Sequence, residues 1–94
     1  MSVTIDGITF DNVAYDPVGD VLYLHVGDPR TAVAFDESPE GHAIRLDAGG
    51  RVVGITLLRP RHLLDHGEPV AVTMPARRPV AVDPATINSA LHAA

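Results

Sequence analysis

The sequence predicts a small α+β domain: an antiparallel β-meander of about five or six strands, a short helical turn and a C-terminal helix. Three observations carry this. Short apolar segments that alternate with polar residues recur over the first 58 residues, divided by tight-turn residues. The links between them are too short for parallel crossovers, so neighbouring strands pair antiparallel. Five of the eight prolines (Pro60, Pro69, Pro75, Pro79, Pro84) fall in the last 35 residues, where strand patterns give way to helix-start signals.

The elements follow in order. Ile5-Asp6-Gly7-Ile8 reads as a hairpin, because Asp-Gly supplies the positive φ angles of a primed turn. Val13-Ala14-Tyr15 and Val21 to Val26 are strands joined by Asp16-Pro17-Val18-Gly19-Asp20, with proline early and glycine late as turn chemistry requires. Thr31 to Phe35 is a short strand of small and β-branched residues, and Asp36 to Gly41 a loop. Ala43 to Leu46 and Arg51 to Leu58 form a hairpin across Asp47-Ala48-Gly49-Gly50. Pro60 to His66 makes a short helix stopped by Gly67. Val70 to Met74 and Val80 to Val82 are strand-like but bracketed by prolines, which suits edges. Asp83 caps a final helix that starts at Pro84, runs to about Ala93 and carries a narrow apolar stripe of Ile87, Ala90, Leu91 and Ala94.

Composition bounds the function. Ninety-four residues, 46% of them hydrophobic, allow a single domain with a real core. The absence of cysteine removes disulfides, thiolate nucleophiles and Cys-based zinc sites, and makes the cytoplasm the expected compartment. Seven arginines and no lysine remove Schiff-base chemistry and the lysine-dependent phosphate loop. A net charge of −5 argues against nucleic acid as a partner. No apolar run is long enough to span a membrane, and the N-terminus lacks the basic start of a signal peptide.

Alternation assigns the faces of the sheet. Leu22, Leu24 and Val26 share one side of their strand, as do Val53, Ile55 and Leu57, Ile44 and Leu46, and Val33 and Phe35; these define the core face. The opposite face carries Val21, Tyr23, His25, Val52, Gly54, Thr56 and Leu58, where a one-sided sheet would carry charge. The C-terminal segment or a second subunit is therefore expected to cover it. A homodimer buried through Val21, Tyr23, Val52 and Leu58 is the expected partner arrangement. On the same assignments Tyr23 is expected to pack over Gly54, which interrupts a β-branched strand.

Two stretches together resemble a family. Tyr15-Asp16 followed by Asp20-Val21-Leu22-Tyr23-Leu24, and Ile44-Arg45-Leu46-Asp47 followed by Gly50-Arg51-Val52-Val53-Gly54-Ile55-Thr56-Leu57-Leu58, are similar in order and spacing to the small bacterial domain of unknown function 2283. The resemblance covers residues 13–58, a family-like β-meander, and leaves residues 59–94 as a proline-rich extension ending in the terminal helix. Thr56 stands where members often carry an acidic residue. The family has no established activity; members found beside small toxin-like genes imply an antitoxin or partner-binding role.

Side chains capable of chemistry are few. His62 and His66 stand four residues apart on one face of the short helix, beside Asp65, a spacing at which two imidazoles share a metal ion. The third ligand would have to come from Glu68 or from His42, His25 or His92, and Leu63 replaces the glutamate of a metalloprotease helix. A surface turn, with His66 against the helix dipole, is the favoured reading, and no metal or other cofactor is expected. Asp16, Asp20 and Asp47 read as turn residues rather than paired acids, and His25 as a hydrogen-bonded filler. Ser2, Ser38 and Ser89 lie outside any nucleophile elbow, and Gly49-Gly50 lacks the context of a phosphate cradle. Arg59, Arg61, Arg77 and Arg78 are the concentrated base, read as solvated loop residues because there is little aromatic surface beside them. The function expected is a non-enzymatic protein-interaction or self-associating module, antitoxin-like in the sense the resemblance implies; the alternative is a metal-binding protein using His62 and His66.

Overall fold

A computed structural model describes residues 1–93. The fold is α+β. A hairpin of β1 (Val3–Ile5) and β2 (Ile8–Phe10) precedes a five-stranded antiparallel sheet of β3 (Asn12–Asp16), β4 (Val21–His25), β5 (Ala34–Glu37), β6 (Ala43–Leu46) and β7 (Val52–Leu58). There follow α1 (Pro60–Asp65), a second hairpin of β8 (Val70–Val72) and β9 (Val80–Val82), and α2 (Pro84–Ala93). The large sheet is ordered β3-β4-β7-β6-β5. The chain runs as two up-and-down pieces, β3-β4 and β5-β6-β7, joined where β4 pairs with β7. The longest strand, β7, thus occupies the centre.

Local signals hold where they are strongest. Asp6 and Gly7 both take positive φ in the first hairpin, which pairs Ile5 with Ile8. The Asp83 carboxylate accepts from the Ala85 N–H at 2.8 Å and caps α2, with Pro84 as its first residue. Asp16 accepts from the Val18 N–H, and Asp47 from the N–H groups of Gly49 and Arg51, the turn roles expected of them. Of the stripe expected on α2, Ile87, Ala90 and Leu91 are buried; Ala94 lies outside the described residues.

One cluster forms the core. Leu22, Leu24, Ile44, Ile55 and Leu57 of the large sheet meet Val3, Ile5 and Phe10 of the first hairpin, Val70, Val72, Met74 and Val82 of the second, and Ile87 and Leu91 of α2. Both hairpins and the terminal helix therefore pack on the same side of the sheet. The C-terminal segment does not cover the opposite face.

Five face assignments, those of Phe35, Val33, Val26, Val52 and Val53, are corrected by the structure. Phe35 is 81% exposed and Val33 67% exposed, not core residues. A 3₁₀ turn at Pro29–Thr31 delays β5, so Ala34 and Asp36 pair with Leu46 and Ile44 while Phe35 lies opposite Arg45. Val26 lies beyond the end of β4 and is exposed. In β7, Arg45 pairs with Gly54 but Leu46 with Val52, so Val53 is the extra residue of a β-bulge. The bulge reverses the phase, and Val52 packs against the core instead of joining the opposite face. Finally, Tyr23 lies opposite Thr56; the residue over Gly54 is His25, two positions further along β4.

Candidate functional site

The open face of the large sheet is built from cross-strand rows. One row runs Asn12, His25, Gly54, Arg45 and Phe35 from β3 to β5. The next runs Ala14, Tyr23, Thr56, Ala43 and Glu37. A third holds Asp16, Val21 and Leu58. Tyr23 is 46% and Leu58 41% exposed, although both lie on interior strands of the sheet. Charge lies at Asp16 on β3 and Glu37 on β5, the two edge strands, and at Arg45 on the inner strand β6.

A cleft of about 240 Å³ opens on this face, lined by Asn12, Ala14, Tyr23, His25, Arg45 and Thr56 among others. His25 is only 6% exposed. Its Nδ1–H donates to the Val26 carbonyl oxygen at 2.9 Å, which leaves Nε2 as an acceptor. That Nε2 is the one buried side-chain polar atom without a partner among the described residues. The ring lies over Gly54 so closely that a Cβ there would stand 2.8 Å from His25 Cδ2. The hydrogen-bonded filler expected at His25 is thus half satisfied.

A second cavity, of about 360 Å³, lies between the β6–β7 end of the sheet and β8, with Glu40, His42, Arg59 and Leu63 on its wall. Its acid and imidazole are committed. His42 is buried, its Nδ1 accepts from the Leu58 N–H at 3.0 Å, and burial holds its pKa below the ordinary imidazole value. Glu40 accepts from the Thr73 N–H at 2.9 Å and the Thr73 hydroxyl at 2.6 Å. These bonds stitch β8 to the sheet.

Asp20 does more than end a turn. Its backbone carbonyl accepts from the Arg59 N–H, and its carboxylate accepts from the N–H groups of Arg61 and His62, each at 3.0 Å, and from the Tyr15 hydroxyl at 2.8 Å. It therefore caps the first turn of α1 from 41 and 42 residues away. Burial pushes its pKa up, but these donors and the Arg61 charge outweigh that and hold it below the usual carboxylate range. No sequence signal within the Asp16–Asp20 turn points to this contact.

The metal candidates do not converge. The His62 and His66 rings lie 4.2 Å apart between centroids, but His66 Nδ1 donates to the His62 carbonyl at 2.7 Å. His25 sits on the open face, His42 beneath the β6 loop and His92 on α2. Among the described residues no three His, Cys, Asp or Glu side chains gather as a metal group. Elemental analysis of untagged protein is expected to find less than about a tenth of a zinc per chain, well short of a structural site; near-equimolar, chelator-resistant zinc contradicts this. The arginines are likewise dispersed: Arg61 faces Asp65 at 3.8 Å and Arg77 faces Asp6 at 3.1 Å.

The model of a family described as a protein of unknown function, DUF2283, matches residues 12–59, just over half of the chain. The chain belongs to this family. The match begins at the start of β3 and ends one residue after β7, so the DUF2283 unit is the five-stranded sheet itself. The two hairpins and both helices lie outside it and pack on its core side. The open face is formed wholly within the DUF2283 unit. No curated protein and no solved structure matches the chain. No helix among the described residues is long and apolar enough to cross a membrane.

Proposed function

We propose that this DUF2283 domain is a self-associating protein module, with a second copy of the chain covering the open face of the sheet. One observation carries the reading: both hairpins and α2 pack on the core side, leaving Tyr23, Leu58 and Phe35 exposed on the other. Strand spacing and rise give that face dimensions of roughly 24 by 17 Å, about 400 Å² in projection. The largest patch on an ordinary monomer is about 300–600 Å² and often functional, and a face of this size falls in that range. A second copy suits it because the face carries charge of both signs, Arg45 on β6 with Asp16 and Glu37 on the edge strands β3 and β5. The antitoxin-like role implied by the resemblance would place another small protein on the same module. The lack of cysteine supports a cytoplasmic setting.

Sedimentation equilibrium at micromolar concentration is expected to show a dimer, twice the 9.9 kDa chain mass. Tyr23→Glu is expected to return it to monomer without lowering the helix and sheet content, because a carboxylate buried unpaired costs several kcal/mol in each subunit. A wild-type chain that sediments as a single 9.9 kDa species overturns the reading.

A further inference from the structure

The large sheet has two edges, and they differ. We propose that the outer edge of β5 receives an extended basic peptide segment of another protein, which joins the sheet as a sixth strand. At the other edge, β3 is half buried along one side and α2 packs against it. All four residues of β5, Ala34, Phe35, Asp36 and Glu37, are exposed. The ladder fixes which of their backbone groups face outward. The Ser38 N–H donates to the His42 carbonyl at 2.8 Å, so the hydrogen-bonded pairs with β6 recur at Asp36–Ile44 and Ala34–Leu46. Phe35 and Glu37 therefore turn their N–H and C=O groups away from β6. An antiparallel strand that joins there meets the Phe35 N–H and C=O and the Glu37 C=O at ladder spacing.

Charge selects the occupant. Asp36 and Glu37 are consecutive, so they present acid on both sides of the edge. Neither forms an ion pair among the described residues. Asp36 Oδ1 accepts from the Glu37 N–H at 2.9 Å, a placeholder that a cation on the incoming strand would draw away. A second β5 fits this edge poorly. Paired about Phe35, it needs the Val33 N–H, which is already given to the Leu46 carbonyl at 2.9 Å. Paired about Asp36 or Glu37, it sets like charges directly opposite, which is destabilising. The acids thus guard the edge against a copy of itself and favour a strand of opposite charge. Beside the edge lies a hollow of about 200 Å³, lined by Phe35, Glu37, Ala43 and Leu58 among others. It offers a seat to an apolar side chain opposite Phe35. Main-chain pairing with alternate side chains in pockets is how added strands are recognised. The incoming strand thus carries two basic residues, opposite Glu37 and Asp36, and then an apolar one opposite Phe35. It extends the sheet sideways, so the inference stands apart from the self-association reading.

Fluorescence anisotropy with the full chain and a fluorescein-labelled Gly-Lys-Lys-Leu-Thr-Gly peptide tests this. Saturable binding with a Kd below about 1 mM is expected. The same peptide N-methylated at its leucine keeps its charge but cannot donate to the Phe35 carbonyl. It is expected to bind about tenfold more weakly. The double variant Asp36→Lys with Glu37→Lys changes two exposed side chains and is expected to keep the fold. It should lose the lysine peptide and take Gly-Glu-Glu-Leu-Thr-Gly in its place. No saturation below about 1 mM, equal binding of the N-methylated peptide, or a double variant that still prefers the lysine peptide overturns the proposal. The chain has no cysteine, so Phe35→Cys carries the sole thiol. If that protein is crosslinked to a dimer by a short bis-maleimide, a second copy holds the edge, and the proposal is overturned as well.

Discussion

Gly54→Val is expected to lower the melting temperature by more than about 10 °C. A Cβ at this position would stand 2.8 Å from His25 Cδ2, 3.1 Å from the Leu24 carbonyl oxygen and 3.2 Å from Arg45 Cβ. The imidazole can shift, but the Leu24 carbonyl belongs to β4 and is held by the sheet. Overpacking of this kind costs about 1–3 kcal/mol, and a branched side chain belongs at the upper end. For a domain of this length each kcal/mol moves the melting temperature by about 4–8 °C. Combining Gly54→Val with His25→Ala should recover part of the loss, because it removes the nearest obstacle and leaves the backbone one. A Gly54→Val protein that melts at or above the wild-type temperature shows that the β4–β7 register places no ring over this glycine.

Asp20→Ala is expected to cost about 2–3 kcal/mol, measured by thermal or chemical unfolding. It removes the cap of α1, about 1 kcal/mol by itself, and leaves the half-buried Tyr15 hydroxyl without its charged partner. Asp20→Asn should cost less. Asp20 has a φ of 54°, a left-handed conformation that asparagine adopts readily, and one amide oxygen can still accept from the helix N–H groups. The loss also has a pH signature. Because the Asp20 pKa is held below its unfolded value, its stabilisation is present above the ordinary carboxylate range, about pH 4, and is lost as pH falls through the folded value. Burial likewise holds the His42 pKa below the ordinary imidazole value of about 6.5. Its stabilisation is present above that pH and is lost as acid protonates the unfolded chain. Melting temperature plotted against pH should therefore fall in two stages in the wild type. Asp20→Ala should shrink the stage below about pH 4, to which Glu40 and Asp47, also held below the ordinary carboxylate range by their hydrogen bonds, contribute, and leave the one that begins near 6.5. An unchanged lower stage would show that another carboxylate carries it.

Both of these effects arise from contacts the linear sequence does not display. The Asp6-Gly7 hairpin, the Val80–Val82 strand, the α1 segment after Leu58 and the Asp83-Pro84 start of α2 were all legible, because each depends on torsional preferences and hydrogen bonds within a few residues. Alternation likewise placed Leu22, Leu24, Ile44, Ile55 and Leu57 correctly in the core, since strand side chains change face at every residue while the ladder is regular. It failed for Val52 and Phe35. A single extra residue at Val53 turns Val52 inward, and a late start to β5 turns Phe35 outward. Neither irregularity has a local sequence mark, and a one-residue slip reverses every side chain beyond it.

The sequence by itself thus determined the α+β class, the antiparallel pairing of adjacent strands, the identity of most core residues and the membership of residues 12–59 in DUF2283. Tertiary structure alone decided that β4 lies beside β7, that His25 rather than Tyr23 covers Gly54, that Asp20 seats a helix more than 40 residues away, and that the C-terminal third packs on the core side and leaves the other face open. The division has one physical cause. Turns, caps and alternation are governed by energies that act over a few residues, whereas strand order, register and the choice of which face an extension buries are settled by packing between segments far apart in the chain, where many arrangements share the same local pattern.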